Sequence, residues 1–285
     1  MTQAARLREL LGRGGMVVAP GAYDCITARL IERAGFDAVY MTGAGTAATL
    51  GYPDFGLLTM TEMAANAGRI AAAVGVPVIA DADTGYGNEL NVVRTVREYE
   101  AAGAAGLHIE DQVFPKKCGH LDDKEIVPQE DWLAKIRAAA AARRDPDFLV
   151  IARTDARAMA GFEAAVARGN AALQAGADMI FLEAPQTPEE IAAVPRLVRG
   201  PCLLNVVKGG KTPDIDLAEA ERMGYRMAIL PGLLLNNVIA IGEKMLAELA
   251  ATRRHPAPVR EMTLRAMFEL SAADEWDALR TRFRS

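Results

Sequence analysis

Short apolar runs alternate with longer, alanine-rich amphipathic stretches along most of the chain. The runs at 16–19, 38–41, 76–80, 106–109, 148–152, 179–182, 202–206 and 227–230 predict eight strands. They are apolar without clean alternation, as expected where both faces of a parallel strand are covered. Between them the spacing predicts helices at roughly 22–34, 59–74, 89–102, 129–143, 161–175, 187–198, 214–223 and 232–251. Several of these stop at a glycine suited to a C-cap, with a strand soon after: Gly35, Gly75, Gly103, Gly176 and Gly224.

Eight βα units in about 250 residues match a (β/α)8 barrel, an α/β fold. A doubly wound open sheet uses the same units, but no Gly-x-Gly-x-x-Gly follows the first strand, which weakens a dinucleotide-binding version. Past residue 251 the pattern changes. A basic, proline-containing connection at 252–258 leads into two short amphipathic segments near 259–270 and 274–284. These carry Leu264, Met267, Phe268, Leu270, Trp276, Leu279 and Phe283, too much apolar surface to leave in water. The expected organisation is a barrel catalytic domain at 1–251 and a helical tail at 252–285 that docks on the barrel or on a neighbouring subunit.

Composition narrows the function. With 285 residues, 51% hydrophobic and 24% charged, the chain reads as an ordinary soluble protein with a large core. A net charge of -5 and the lack of a long basic run argue against nucleic acid as the main partner. An anionic small molecule stays open, because a local basic cluster can outweigh the global charge. The apolar stretches are broken before the span a membrane helix needs, and residues 1–15 are too polar for a signal peptide. Cys25, Cys118 and Cys202 form neither a disulfide framework nor a zinc pattern, so a reducing cytoplasm fits best. Cys25 and Cys202 lie in apolar surroundings and read as core residues.

Barrel active sites lie at the C-terminal ends of the strands, and those ends are rich in chemistry here. The second is followed by Tyr40-Met41-Thr42-Gly43-Ala44-Gly45, a glycine-rich turn that can offer N–H groups to an anion. The third gives Asp81 and Asp83, two apart, and the fourth Glu110. Like charges so close repel unless a cation or proton sits between them, and an oxygen-only set suits Mg2+, or alternatively Mn2+, with waters retained. Arg153 ends the fifth strand and suits a substrate carboxylate, or a salt bridge to Glu183 or Asp155. Glu183, Asn205 and Pro231 end the last three. Lys116-Lys117-Cys118-Gly119-His120 places a cysteine between two lysines and a histidine. Nearby positive charge favours thiolate, so this cysteine could exchange a proton near neutral pH. His120 in that loop is the better functional histidine; His108, in a strand, reads as a satisfied core residue, and His255 carries no assignment.

These motifs together resemble the isocitrate lyase/phosphoenolpyruvate mutase superfamily, from about residue 19 to 250. They are Tyr40–Gly45, Asp81-Ala-Asp83, Gly106-Leu-His-Ile-Glu-Asp-Gln112, Lys117-Cys-Gly-His120 and Ala152-Arg-Thr-Asp-Ala156. The short-chain lyases of the 2-methylisocitrate and 2,3-dimethylmalate type are the most similar branch. The resemblance implies a barrel whose final helix is exchanged between paired subunits, usually in a homotetramer. It implies Mg2+ at Asp81 and Asp83, with Asp54 and Glu110 holding its waters. Thr42, Gly43 and Ala44, with Tyr40 nearby, would bind the pyruvyl portion of the substrate; Gly119, Arg153, Glu183, Asn205 and Pro231 would line the rest. Cys118 would protonate the carbanion left by C–C cleavage, with Lys117 and His120 in the same catalytic loop.

The implied reaction cleaves a 2-hydroxy di- or tricarboxylate to an α-keto acid such as pyruvate and a carboxylate. Methylisocitrate lyases tend to carry an arginine near Asn236, which favours a malate-like substrate here. Related oxaloacetate hydrolases typically have serine where this chain has Pro231, and proline cannot donate the hydrogen bond such a serine would give. Oxaloacetate decarboxylation or hydrolysis is the nearest alternative, a phosphonate mutase the next. From another class, a catalytically idle barrel that binds a dicarboxylate or serves as an assembly partner would be indicated by absent metal affinity in the folded protein. Arg265, in the tail, is a candidate contact to a neighbouring subunit's substrate.

Overall fold

A computed structural model describes residues 1–121 and 123–284. Eight parallel strands close on themselves in chain order: β1 (Val17–Ala22), β2 (Val39–Met41), β3 (Val78–Asp81), β4 (Gly106–Glu110), β5 (Leu149–Thr154), β6 (Met179–Leu182), β7 (Cys202–Asn205) and β8 (Met227–Leu230). Closure is completed by β1 against β8, with Val17 opposite Met227 and Pro20 opposite Leu230. Every strand overlaps a predicted run, and β1 continues three residues past its own. Strand residues are buried on both faces, which is why their sequences are apolar rather than alternating.

The barrel interior is packed by Val17, Ala19, Tyr40, Ile79, Leu149, Ile151, Phe181, Leu203 and Met227. A helix absent from the sequence reading, α1 (Gln3–Gly12), contributes Leu7 to that core, with Leu10 and Leu11 packed against it. Its apolar positions are too few to stand out, yet Thr2 caps it by accepting from the Ala5 N–H. The remaining helices of the first unit are α2 (Cys25–Arg33), α3 (Gly43–Thr49), α4 (Met60–Ala73), α5 (Glu89–Ala101), α6 (Gln129–Ala142), α7 (Arg157–Ala160), α8 (Phe162–Gln174), α9 (Pro188–Leu197) and α10 (Leu217–Met223). Gly35, Gly103, Gly176 and Gly224 follow their helices with positive φ, as predicted. Gly75 does not, because α4 stops at Val74 in extended conformation.

Two local expectations are corrected. The segment after β2 is not an open turn: Thr42 is the N-cap of α3, and its Oγ1 accepts from the Gly45 N–H. Cys25 is not a core residue. It is half-buried at the start of α2, and its thiol lies 3.4 Å from the Arg69 carbonyl. Cys202, on β7, is buried as expected.

The chain separates into two compact units, Met1–Leu233 and Leu234–Ser285. The second consists of most of α11 (Leu233–Thr252), then α12 (Leu264–Glu269) and α13 (Ala273–Arg284). Among the described residues no helix is long and apolar enough to cross a membrane.

Candidate active site

The parallel register brings the chemistry to one end of the barrel. Asp81 lies opposite His108 on the neighbouring strand, and Glu110 opposite Arg153. Asp81 is buried and well satisfied: Tyr40 donates its hydroxyl to Oδ2 at 3.3 Å, the Gly43 N–H donates to the same oxygen at 3.2 Å, and the Asp83 N–H donates to Oδ1 at 3.0 Å. Burial alone would raise its pKa, but His108, Lys116, Arg153 and the Asp83 N–H together hold it at about 2. Gly43 is required here by space, since a Cβ would overlap the Asp81 carboxylate.

His108 is a site residue that the strand position concealed. Its Nε2 lies 2.9 Å from the Tyr40 hydroxyl and 3.5 Å from Asp81 Oδ1. With the phenol donating to Asp81, Nε2 donates to the Tyr40 oxygen and Nδ1 is left without a hydrogen-bond partner. Burial pushes its pKa down to about 4, so the ring is neutral at physiological pH. Phe181 packs edge-on against it, 5.4 Å between ring centroids.

Lys116 is the second residue passed over. It is 2% exposed, with Nζ 3.0 Å from Asp83 Oδ1 and in contact with Asp54 Oδ1. Those two carboxylates hold its ammonium well above its usual pKa in spite of burial. Lys117 instead turns its amine to the Asp123 carbonyl at 3.1 Å, outside the carboxylate cluster. A lysine pair in a loop gives no sign of which member points inward; only the backbone path decides it.

Arg153 is buried between three carboxylates: Asp155 at 2.9 Å, Glu110 at 3.2 Å and Glu183 at 3.5 Å. Asn205 donates Nδ2 to Glu183 Oε2 at 3.2 Å. Pro231 follows β8 beside Gly21, where a Cβ would overlap the Pro231 backbone. The predicted residues Tyr40, Gly43, Asp81, Asp83, Glu110, Arg153, Glu183 and Asn205 are therefore gathered around one cluster, and Lys117 is not.

The cysteine loop lies on that cluster. A Cβ on Gly119 would overlap both Glu183 Oε1 and the Arg153 guanidinium, so only glycine permits the approach. His120 accepts from the Lys211 N–H at its Nδ1, 3.0 Å, which leaves the proton of the neutral ring on Nε2, 3.3 Å from Glu183. Burial lowers the His120 pKa and keeps that ring neutral. Cys118 departs from the sequence argument. Its pKa is raised, by burial first and by Asp54 and Glu183, against the His120 N–H and Arg153. The flanking lysines direct their charge elsewhere, so Cys118 is held as a thiol.

Asp54, Asp81, Asp83, Glu110, Asp155 and Glu183 face Lys116, Lys124 and Arg153: six carboxylates against three cations. Burial, with Asp81 and Asp54 adding to it, pushes Asp83 up to about 6, and burial lifts Glu110 well above the usual range. Glu110 Oε1 is buried with no hydrogen-bond partner. Such a cluster takes up protons or a cation. Among the described residues no three His, Cys, Asp or Glu side chains form a metal cage. The carboxylate excess and the unpartnered Glu110 oxygen nonetheless fit a divalent cation.

Comparison with known proteins places these features. The phosphoenolpyruvate phosphomutase family profile matches residues 7–250. The chain is 56% identical to a 2,3-dimethylmalate lyase from Eubacterium barkeri, over 81% of this chain and 80% of that protein. It is 47% identical to a 2-methylisocitrate lyase from Aeropyrum pernix, over 85% and 78%. A crystal structure of 2,3-dimethylmalate lyase superposes with a TM-score of 0.94 at 42% identity, covering 99% of this chain and 95% of that one. Oxaloacetate acetylhydrolase bound to 3,3-difluorooxalacetate superposes with a TM-score of 0.95 at 38% identity, covering 100% and 98%. A buried strand-end carboxylate cluster, an arginine at its centre and a cysteine loop above it thus sit in a chain that belongs to the phosphoenolpyruvate mutase/isocitrate lyase superfamily, among its carbon–carbon lyases.

Proposed function

We propose that this protein is a Mg2+-dependent carbon–carbon lyase that cleaves a 2,3-dimethylmalate- or 2-methylisocitrate-like 2-hydroxy acid to an α-keto acid and a carboxylate. The observation that carries the reading is the cysteine loop, with a protonated Cys118 next to a Gly119 that packs on Arg153 and Glu183. A lyase needs one acid to quench the departing carbanion, and a thiol held in its protonated form beside the cluster can supply it.

Asp81 and Asp83 would hold the cation, with Asp54 and Glu110 on its water ligands. When bound, Mg2+ supplies Lewis-acid polarisation of the substrate oxygens. The Gly43 and Ala44 segment, at the start of α3, orients the keto-acid half. Arg153, fixed by Asp155 and Glu110, stabilises negative charge that develops as the C2–C3 bond breaks. The C2 hydroxyl gives its proton to a carboxylate of the cluster as the C2=O bond forms, the C2–C3 bonding electrons stay with C3, and Cys118 Sγ gives that carbon its proton. Glu183 and Asn205 hold the neutral His120 ring and the loop in place, and the loop excludes water from the carbanion. Lys117 belongs to the same loop, and Lys116 supplies its buried positive charge.

The test is pyruvate release with Mg2+ from 2,3-dimethylmalate, 2-methylisocitrate and oxaloacetate in parallel, with isocitrate followed by glyoxylate and oxaloacetate also by oxalate. EDTA-sensitive cleavage of a substituted malate or isocitrate is expected. Activity on oxaloacetate alone would replace the lyase reading with decarboxylation or hydrolysis, a reading favoured by the close superposition on oxaloacetate acetylhydrolase.

For partners, we infer a small-molecule hydroxy or keto acid and a homotetramer with an exchanged C-terminal helix in the cytoplasm, with neither nucleic acid nor membrane. The exposed Phe268, Trp276 and Phe283 of the second unit support burial against another copy.

A further inference from the structure

The chain between β3 and α5 passes through the left-handed region at Asp83 (φ +45°), Gly85 (+82°) and Tyr86 (+60°). For Asp and Tyr this backbone is uncommon, and it persists only where the surroundings over-determine it. Here every carbonyl from 81 to 85 is held. The Asp81 carbonyl accepts from the Tyr99 hydroxyl at 3.0 Å, and that of Ala82 from the Gly85 N–H at 2.9 Å. The Asp83 carbonyl accepts from the Glu110 N–H at 2.9 Å, and that of Gly85 from Thr95 Oγ1 at 3.2 Å. The Thr84 carbonyl accepts from Lys135 Nζ at 3.0 Å. Four of these five donors come from outside the turn, and Lys135 is the charged one. It reaches in from α6 and is 8% exposed; burial lowers its pKa, and Asp131 and Glu110 offset that in part.

We propose that Lys135 is a positioning residue for Asp83: by pinning the Thr84 carbonyl it fixes the strained turn so that the Asp83 carboxylate faces Asp54 and Asp81 in the geometry cation binding requires. It touches neither substrate nor reacting atoms and acts through the Thr84 backbone. The proposal rests on the metal-dependent reading above.

The test uses Mn2+ titrated into the full-length, substrate-free protein, with free Mn2+ read by electron paramagnetic resonance. Lys135→Met keeps the apolar stem and removes the charged donor; its Mn2+ dissociation constant should rise about tenfold or more, the scale of a lost charged hydrogen bond. Lys135→Arg should recover most of that loss. If Lys135→Met does not fold, Lys135→Gln reads the same change. Unchanged Mn2+ affinity would overturn the proposal, as would an equal loss in Ile191→Ala, a core variant remote from the turn that lowers stability without touching it. Absence of Mn2+ binding by the unaltered protein would overturn the metal reading and this proposal with it, whereas binding that ignores Lys135 overturns this proposal alone.

Discussion

Cys118 works as an acid in the proposed chemistry, and its surroundings set how that should appear against pH. Burial and the carboxylates of Asp54 and Glu183 raise its pKa, so the proton-donating form extends above the range of an ordinary cysteine. Titration of Cys118 should therefore leave the rate level through neutral pH and lower it only at alkaline pH. Because burial keeps His120 neutral, no inflection is expected near the usual histidine pKa. An acid limb near 6.5, abolished by His120→Gln, would contradict this. Cys118→Ser should lose about a hundredfold or more of turnover on the lyase substrate, as expected when the positioned acid is removed. Stability has its own pH signature at His108. The folded pKa of about 4 lies below the unfolded value, so its contribution is present above about pH 6.5 and is lost as pH falls towards 4. The loss is on the order of 3 kcal/mol. Urea unfolding across that range should show a shallower pH slope in His108→Gln; an identical slope would mean that the ring is not buried neutral.

The cysteine loop is tied at both ends to a single carboxylate. Gln112 exchanges hydrogen bonds with the Lys117 backbone, donating to its carbonyl at 2.8 Å and accepting from its N–H at 3.0 Å, and also donates to Asp155 Oδ1 at 3.2 Å. Lys124 donates to the same oxygen at 2.8 Å and to the Gly119 carbonyl. The other oxygen, Oδ2, takes Arg153 Nε. Gly119→Ala would push the loop off Glu183 and Arg153. The expected result is a turnover loss of about tenfold or more, with a melting temperature lowered by only about 2 °C, since the loop can lift off the buried Glu183 and Arg153 without disturbing the apolar core of the barrel. A large fall in melting temperature with turnover per folded molecule intact would oppose it. At this scale the strands were legible, because eight apolar runs with glycine-stopped helices between them allow little else. Helices α1 and α3 were not. The first has few apolar positions, and the second begins in glycines whose helical state depends on the Thr42 cap and on Asp81. The strand-end residues Asp81, Asp83, Glu110 and Arg153 were legible because a parallel barrel delivers every strand end to one face. His108, Lys116, Lys124 and Lys135 were not, since nothing local to a strand, a loop or a helix shows which charged groups it will meet.

In the whole molecule, 37 acidic residues against 32 basic ones obscure a site organised around buried charge, where carboxylates outnumber cations. The second unit, Leu234–Ser285, exposes Val238, Ile239, Leu246, Phe268, Trp276 and Phe283. Replacing Phe268 and Trp276 together with Asp should lower the sedimentation coefficient from that of a tetramer if these side chains are buried between copies; an unchanged coefficient would remove them from the interface. The sequence by itself determined the barrel, the superfamily and the strand-end chemistry, because hydrophobic period and short motifs are local properties that survive any tertiary arrangement. Only the tertiary structure decided that Cys118 is held as a thiol, that Lys116 rather than Lys117 enters the cluster, and that His108 faces Asp81. Burial and charge proximity are properties of residues distant in the chain, and they reverse what the same side chains would do in water.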